Sequence, residues 1–200
     1  MNGHHPGKGN PPWEQNPAYG LLQPIFYALK DAHVNDQATW EKAVMTASDW
    51  YSGLPSDIRT ELDELLEEIM LFKRKLVELV TASGSSSTCR TCGGECCLLG
   101  KYHVSVLDIL AYRKTGVEPV TPVFTAGPAC PYSDDSGCLM PAGYRPVTCV
   151  IFNCQLIENR LTTADREAVH QYEKRLRDAV SRTGHASGVR LDRPLLLSCS

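Results

Sequence analysis

The chain has 200 residues, of which 42% are apolar, and a formal net charge of −3. This apolar content is enough for one packed domain, so the nine cysteines are not needed to compensate for a small core. The slightly acidic balance argues against nucleic acid as a partner, because phosphate binding requires a basic face. No apolar run reaches the roughly 20 residues that cross a bilayer, so we expect no membrane segment.

Residues 1–20 are rich in proline and glycine and poor in apolar side chains, which predicts a flexible N-terminal arm. The arm lacks the apolar stretch of a secretory signal, so we expect a cytoplasmic protein whose cysteines stay reduced. His4 and His5 are more typical of a solvated pair than of a metal site. Residues 21–86 are expected to be helical, beginning with a short helix over Leu21–Ala32.

Two longer helices are predicted next, one from Asn35 or Asp36 to about Tyr51 and one over about Asp57 to Ala82. In the second helix, apolar residues alternate at spacings of four and three, so they form one continuous seam. The seam consists of Ile58, Leu62, Leu65, Ile69, Phe72, Leu76 and Leu79. The short connection between the helices favours an antiparallel hairpin with an intramolecular core. A protein partner or a homodimer that uses this hairpin is the alternative.

Residues 87–160 contain many glycines and prolines and predict an irregular, cysteine-rich module after a linker over Thr81–Thr88. The module is interrupted by one short helix over Ser105–Lys114. Ser105 is the expected N-cap of this helix and Gly116 its stop.

Residues 161–185 predict a C-terminal helix that packs on the helical bundle. Thr162 and Asp165 have the spacing of a capping box, and Gly184 is the expected C-terminal stop. Residues 186–200 lack periodicity and are interpreted as a tail. The resulting fold class is mainly α, with a helical hairpin or bundle flanking the cysteine-rich module.

Eight of the nine cysteines fall in two groups within this module. The first group is Cys89, Cys92, Cys96 and Cys97, and the second is Cys130, Cys138, Cys149 and Cys154. Thiolates at such spacing bind a metal or one another. The first pair is followed by Gly93 and Gly94, which predicts a knuckle whose two sulfurs face a common point. Adjacent side chains are expected to diverge, so Cys96 and Cys97 should not both bind one zinc ion.

The donor set is soft and almost entirely thiolate, which favours an iron–sulfur cluster, of the 4Fe-4S type, over zinc. Disulfides rank last, because the cysteine count is odd and no export signal is visible. His103 is the only histidine in the region, and we expect a surface or capping role for it. Cys199 lies far from the other cysteines in sequence and is interpreted as a bystander.

Together, these motifs resemble the CxxCxxCC cysteine-cluster family of the YkgJ type, which is described as zinc- or iron-chelating. The matching residues cover about 87–155 and include the eight cysteines, the helix with Asp108, and Tyr144, Arg145, Pro146 and Phe152. A related cluster occurs in flagellin lysine N-methylases, where an iron–sulfur cluster is thought to support methyl transfer. The resemblance implies metal ligation by the eight cysteines and no particular reaction. The chain departs from the family's pattern in having three residues between Cys92 and Cys96.

The sequence therefore predicts a metal-binding protein whose iron–sulfur cluster transfers electrons or supports a partner enzyme. One alternative is an enzyme subunit in cluster-dependent methyl transfer, although no nucleotide-binding motif is present and catalysis by this chain alone is not expected. The other alternative is a zinc-stabilised interaction domain. Arg145 is expected either to offset the charge of the centre or to pair with Asp134 or Asp135.

Overall fold

The computed structural model describes residues 33–92, 95–125 and 130–198. This part of the chain is mainly helical, with seven α-helices and one two-stranded β-hairpin, which confirms the prediction of a mainly α fold. The predicted N-terminal arm, the predicted helix over Leu21–Ala32 and Cys199 lie outside the described residues.

The two predicted long helices are present, as α1 (His33–Ser52) and α2 (Ser56–Ala82). The centre of the predicted seam in α2 is buried, which confirms it as core. The buried residues of α2 are Leu62, Leu65, Leu66, Ile69, Met70, Phe72, Lys73 and Leu76. Lys73 is an unexpected member of this set, because a charged side chain is rarely buried without a partner.

The prediction of an antiparallel hairpin between α1 and α2 is wrong. Helix α1 packs instead against α4 (Val106–Thr115) and the 3-10 turn Leu195–Leu197. The buried stripe of α2 is covered by α7 (Thr163–Ser187), whose own buried residues include Val169 and Leu176. A short connection brings two helix ends together, but the larger apolar faces of other helices decide which pairs pack along their length.

Helix α4 begins and ends where the sequence predicts. Ser105 is the N-cap and forms a reciprocal capping box with Asp108, while Gly116 follows the last turn with a φ of 70°. Helix α7 starts with the predicted capping box between Thr162 and Asp165.

The end predicted for α7 is wrong. This helix runs past Gly184 to Ser187 and ends at Gly188, whose φ is 70°. A glycine inside a helix costs only about 0.5–1 kcal/mol, so Gly184 does not by itself stop one.

The predicted linker over Thr81–Thr88 is mostly helix. A turn at Ser83 and Gly84, where Gly84 has a φ of 87°, separates α2 from α3 (Ser85–Cys92). The backbone of Cys89 and Cys92 is therefore helical. Gly93 and Gly94 lie outside the described residues.

The segment after α7 contributes to the core. Leu191, Leu195 and Leu196 are buried. The N–H of Leu107 donates to the carbonyl oxygen of Leu191 at 2.9 Å, and the N–H of Leu195 donates to that of Val104 at 2.7 Å. These bonds fix both sides of the loop that leads into α4.

The remaining elements of the cysteine-rich module are short. Strands β1 (Ser133–Asp134) and β2 (Gly137–Cys138) pair antiparallel. Helices α5 (Val147–Ile151) and α6 (Gln155–Glu158) follow, and 3-10 turns occur at Glu95–Cys97, Gly100–Tyr102 and Ala142–Tyr144. Helix α3 contacts β2 and α6, while α2 contacts the Ala142–Tyr144 turn and α5. The module is thus packed on the helices and is not a separate lobe.

Candidate metal centre

Cys130 is placed by a close approach to the backbone of Gly100. A Cβ atom on Gly100 would lie 2.9 Å from the Cβ of Cys130, a distance that real side chains do not tolerate. Gly100 itself is buried in the 3-10 turn that follows the first cysteine group. The absence of a side chain at residue 100 therefore lets the second cysteine group pack against the first.

Cys96 and Cys97 converge, and the expectation that they diverge is wrong. Their Sγ atoms are 4.0 Å apart. Both residues lie in the 3-10 turn Glu95–Cys97. Two thiolates bound to one tetrahedral ion, with metal–sulfur bonds of about 2.3 Å, lie about 3.8 Å apart. The pair consequently has the spacing of two ligands of one ion.

His103 contacts Cys149, although 46 residues separate them. The Nδ1 atom of His103 is 3.2 Å from the Sγ atom of Cys149. Burial raises the pKa of the Cys149 thiol and lowers the pKa of the His103 imidazole. Both groups are therefore neutral near pH 7, unlike the thiolate–imidazolium pair of an activated nucleophile.

The thiols of both cysteine groups influence one another. Burial raises the pKa of Cys130, and the neighbouring Cys138 and Cys96 raise it further. After burial, Cys130 is the next largest cause of the raised pKa of Cys149. The contact with Cys96, followed by burial, raises the pKa of the Cys97 thiol. Several negative thiolates would repel one another here, and a bound cation would relieve that repulsion.

Cys138 and Cys154 lie on elements next to α3. Cys138 ends β2, and its Sγ atom is 3.9 Å from the carbonyl oxygen of Met140. Cys154 is the N-cap of α6. Because α3 carries Cys89 and contacts both elements, the fold brings the two cysteine groups to one side of the module. The side chain of Cys92 lies outside the described part of the chain.

Among the described residues, Arg145 does not form the predicted ion pair with Asp134 or Asp135. Its Nε atom donates to the carbonyl oxygen of Met140 at 3.2 Å. The carboxylate of Asp134 accepts instead from the N–H and the hydroxyl of Ser136. Arg145 therefore holds the same backbone carbonyl that the Cys138 thiol contacts, which makes it a positioning residue for that loop.

A buried ion pair joins α2 to α4 in the helical core. The Nζ atom of Lys73 in α2 is 2.5 Å from the Oδ1 atom of Asp108 in α4, and both side chains are fully buried. Asp108 also accepts from the N–H and the hydroxyl of Ser105 through Oδ2. As the sequence suggests, Asp108 has a structural place in a helix, although its charge also contributes to the raised pKa of Cys149.

The candidate donors are thiols and one imidazole, which are the ligands that a soft metal ion prefers. Two pairs of them, Cys96–Cys97 and Cys149–His103, also have the spacing of neighbouring ligands. Cys97, Cys130, Cys138, Cys149 and Cys154 are not disulfide-bonded. Within the residues that the structure describes, no group of three His, Cys, Asp or Glu side chains is arranged to hold a metal ion. A complete metal centre therefore requires either a further donor beside one of these pairs or a movement that brings the Cys96–Cys97 pair close to the Cys149–His103 pair.

Comparison with protein-family models finds no matching family, and comparisons with curated proteins and with solved structures find no match. The resemblance to the cysteine-cluster family rests on the motif alone and stays a prediction. None of the helices in the described ranges is long and apolar enough to cross a membrane.

Proposed function

We propose that the chain is a metal-binding protein whose centre is held by the cysteines of residues 89–154. The observation that carries this proposal is the spacing of the two donor pairs. Cys96 and Cys97 are 4.0 Å apart, and Cys149 and His103 are 3.2 Å apart. Neighbouring donors at these distances are what one metal ion requires, and neither pair is arranged as an activated nucleophile.

The form we propose for the centre is an iron–sulfur cluster that transfers electrons or supports a partner enzyme. A cluster suits a site with many thiols and little else to bind hard cations. The thiolates of the chain would hold the iron, and the cluster would supply one-electron chemistry. The Cys96–Cys97 spacing favours a two-iron cluster, in which each iron has two protein ligands, over the four-iron form that composition suggests.

A zinc-stabilised interaction domain is the second candidate, and the same spacing supports it. Four-coordinate zinc accepts neighbouring thiolates and histidine nitrogen, and it would lock the short elements of the module together. Under this proposal the metal contributes to folding and takes no part in a reaction. Metal identity separates the two candidates.

A protein partner and a cytoplasmic location are also part of the proposal. Four large apolar side chains within two residues of a cysteine in the 89–154 segment are exposed. These residues are Leu99, Leu139, Phe152 and Leu156, whose exposed fractions range from 43% to 67%. Exposed apolar side chains that form one continuous patch are typical of a docking surface. Reduced thiols at the centre suit the cytoplasm.

The test is anaerobic purification of the full chain, followed by metal analysis and visible absorption. We expect bound iron and a broad visible absorption that dithionite bleaches, and we expect Cys97→Ser to lose both. The matched control is Cys199→Ser, which should retain both. A colourless protein with stoichiometric zinc would support the second candidate. Metal retained by Cys97→Ser but lost by Cys199→Ser would refute the ligand assignment.

A further inference from the structure

We propose that His103 is a nitrogen ligand of the metal centre and binds through Nδ1 beside Cys149. This inference rests on the proposed metal-binding function and extends it to a residue type that the cysteine motif does not include. A nitrogen and a sulfur bound to one tetrahedral ion, at about 2.0 and 2.3 Å, lie about 3.5 Å apart. The observed separation of 3.2 Å needs little adjustment to reach that value.

The segment that carries His103 is fixed on both sides. The N–H of His103 donates to the carbonyl oxygen of Gly100 at 3.1 Å, which closes the 3-10 turn. The next residue, Val104, is buried, and its carbonyl oxygen accepts from the N–H of Leu195. A ligand on a segment held in this way is already oriented before the metal binds.

The same segment also places a second donor. Gly100 lies directly against Cys130, so one turn positions both the imidazole and a cysteine of the second group. Cys149 contacts the imidazole of His103, and Cys130 packs against Gly100 in the turn just before it.

A mixed set of thiolates and imidazole has a consequence for the centre. Each histidine that replaces a cysteine removes one negative charge from the ligand set. For a two-iron cluster this raises the reduction potential relative to a cluster with four cysteines. The identity of residue 103 would thus set which redox partners the centre can serve.

The experiment is X-ray absorption at the edge of the metal bound to the full-length protein. We expect the wild-type spectrum to show one nitrogen shell near 2.0 Å beside sulfur near 2.3 Å, with the outer scattering of an imidazole ring. His103→Ala should lose the nitrogen and the ring scattering. His103→Cys should replace nitrogen by sulfur and keep the metal. The control is His170→Ala, on the exposed side of α7, which should leave the spectrum unchanged.

The outcomes separate this inference from the proposed function. A wild-type spectrum with sulfur alone, or a nitrogen shell that persists in His103→Ala, would overturn the role of His103 while the metal centre stands. A folded wild-type protein that binds no metal would overturn both. If His103→Ala does not fold, the wild-type spectrum and the exchange of nitrogen for sulfur in His103→Cys decide the question.

Discussion

The buried pair of Lys73 and Asp108 allows a quantitative prediction about stability. Both side chains are fully buried, and their charged atoms are 2.5 Å apart. Lys73→Met keeps most of the volume of the side chain but leaves the Asp108 carboxylate buried without a countercharge. Breaking such a pair costs about 3–5 kcal/mol. This loss is a large fraction of the total stability of about 5–15 kcal/mol that is usual for a domain.

The assay is equilibrium unfolding in urea. For a slope of about 3 kcal/mol/M, Lys73→Met should lower the midpoint by about 1–1.7 M. Asp108→Asn should have a similar effect, because the amide can still accept from Ser105 but leaves Lys73 unpaired. The stability loss of the double variant should be smaller than the sum of the two single losses by roughly 1–3 kcal/mol, because the double variant buries no unpaired charge.

The matched control is Lys114→Met. Lys114 pairs with Glu67 across the same two helices, at 2.6 Å, but this carboxylate is 68% exposed. Water screens the pair, so we expect only a small change in the midpoint. If Lys73→Met lowers the urea midpoint only as little as the control does, the claim that the Lys73–Asp108 pair joins α2 to α4 is refuted.

Three further predictions follow from the glycines and thiols. Gly184→Ala should raise the free energy of unfolding by about 0.5–1 kcal/mol, because α7 continues through this position. A lower free energy in urea unfolding would indicate that the helix ends there. Gly100→Ala should lower the free energy of unfolding by about 1–3 kcal/mol and should also lower the metal content, because the added methyl group would displace Cys130. Unchanged metal content would contradict the packing of Gly100 against Cys130. In metal-free protein, iodoacetamide should alkylate Cys149 more slowly at pH 7 than it alkylates an unstructured cysteine peptide. Partial burial of the thiol and the neighbouring Cys130 raise the pKa of Cys149, so its alkylation rate should still increase above pH 9, where the rate of the peptide levels off. Matching pH profiles would contradict this expectation.

The helices could be predicted because their signals are local. The alternating spacing in α2 and the capping box between Ser105 and Asp108 each involve residues a few positions apart. The packing partners could not be predicted in the same way. An apolar face on α1 fits any other apolar face, and only the assembled fold places it on α4.

The candidate site shows the same division. The sequence predicts that the cysteines are donors, but their approach to one another depends on contacts between distant segments. His103 was expected to have a surface or capping role because nothing within its own segment points to Cys149, 46 residues away. Cys96 and Cys97 approach each other within a 3-10 turn, which has no periodic signal over three residues. Gly100 was a missed positioning residue for the same reason, since its contact with Cys130 spans two segments.

The measurement that tests the central claim most directly is the metal and acid-labile sulfide content of the full chain after anaerobic purification. We predict at least one metal ion per chain. Iron with sulfide would support the cluster, and zinc without sulfide would support the interaction domain. Folded, fully reduced protein that contains neither metal and does not take up either one would contradict the claim that these cysteines form a metal centre.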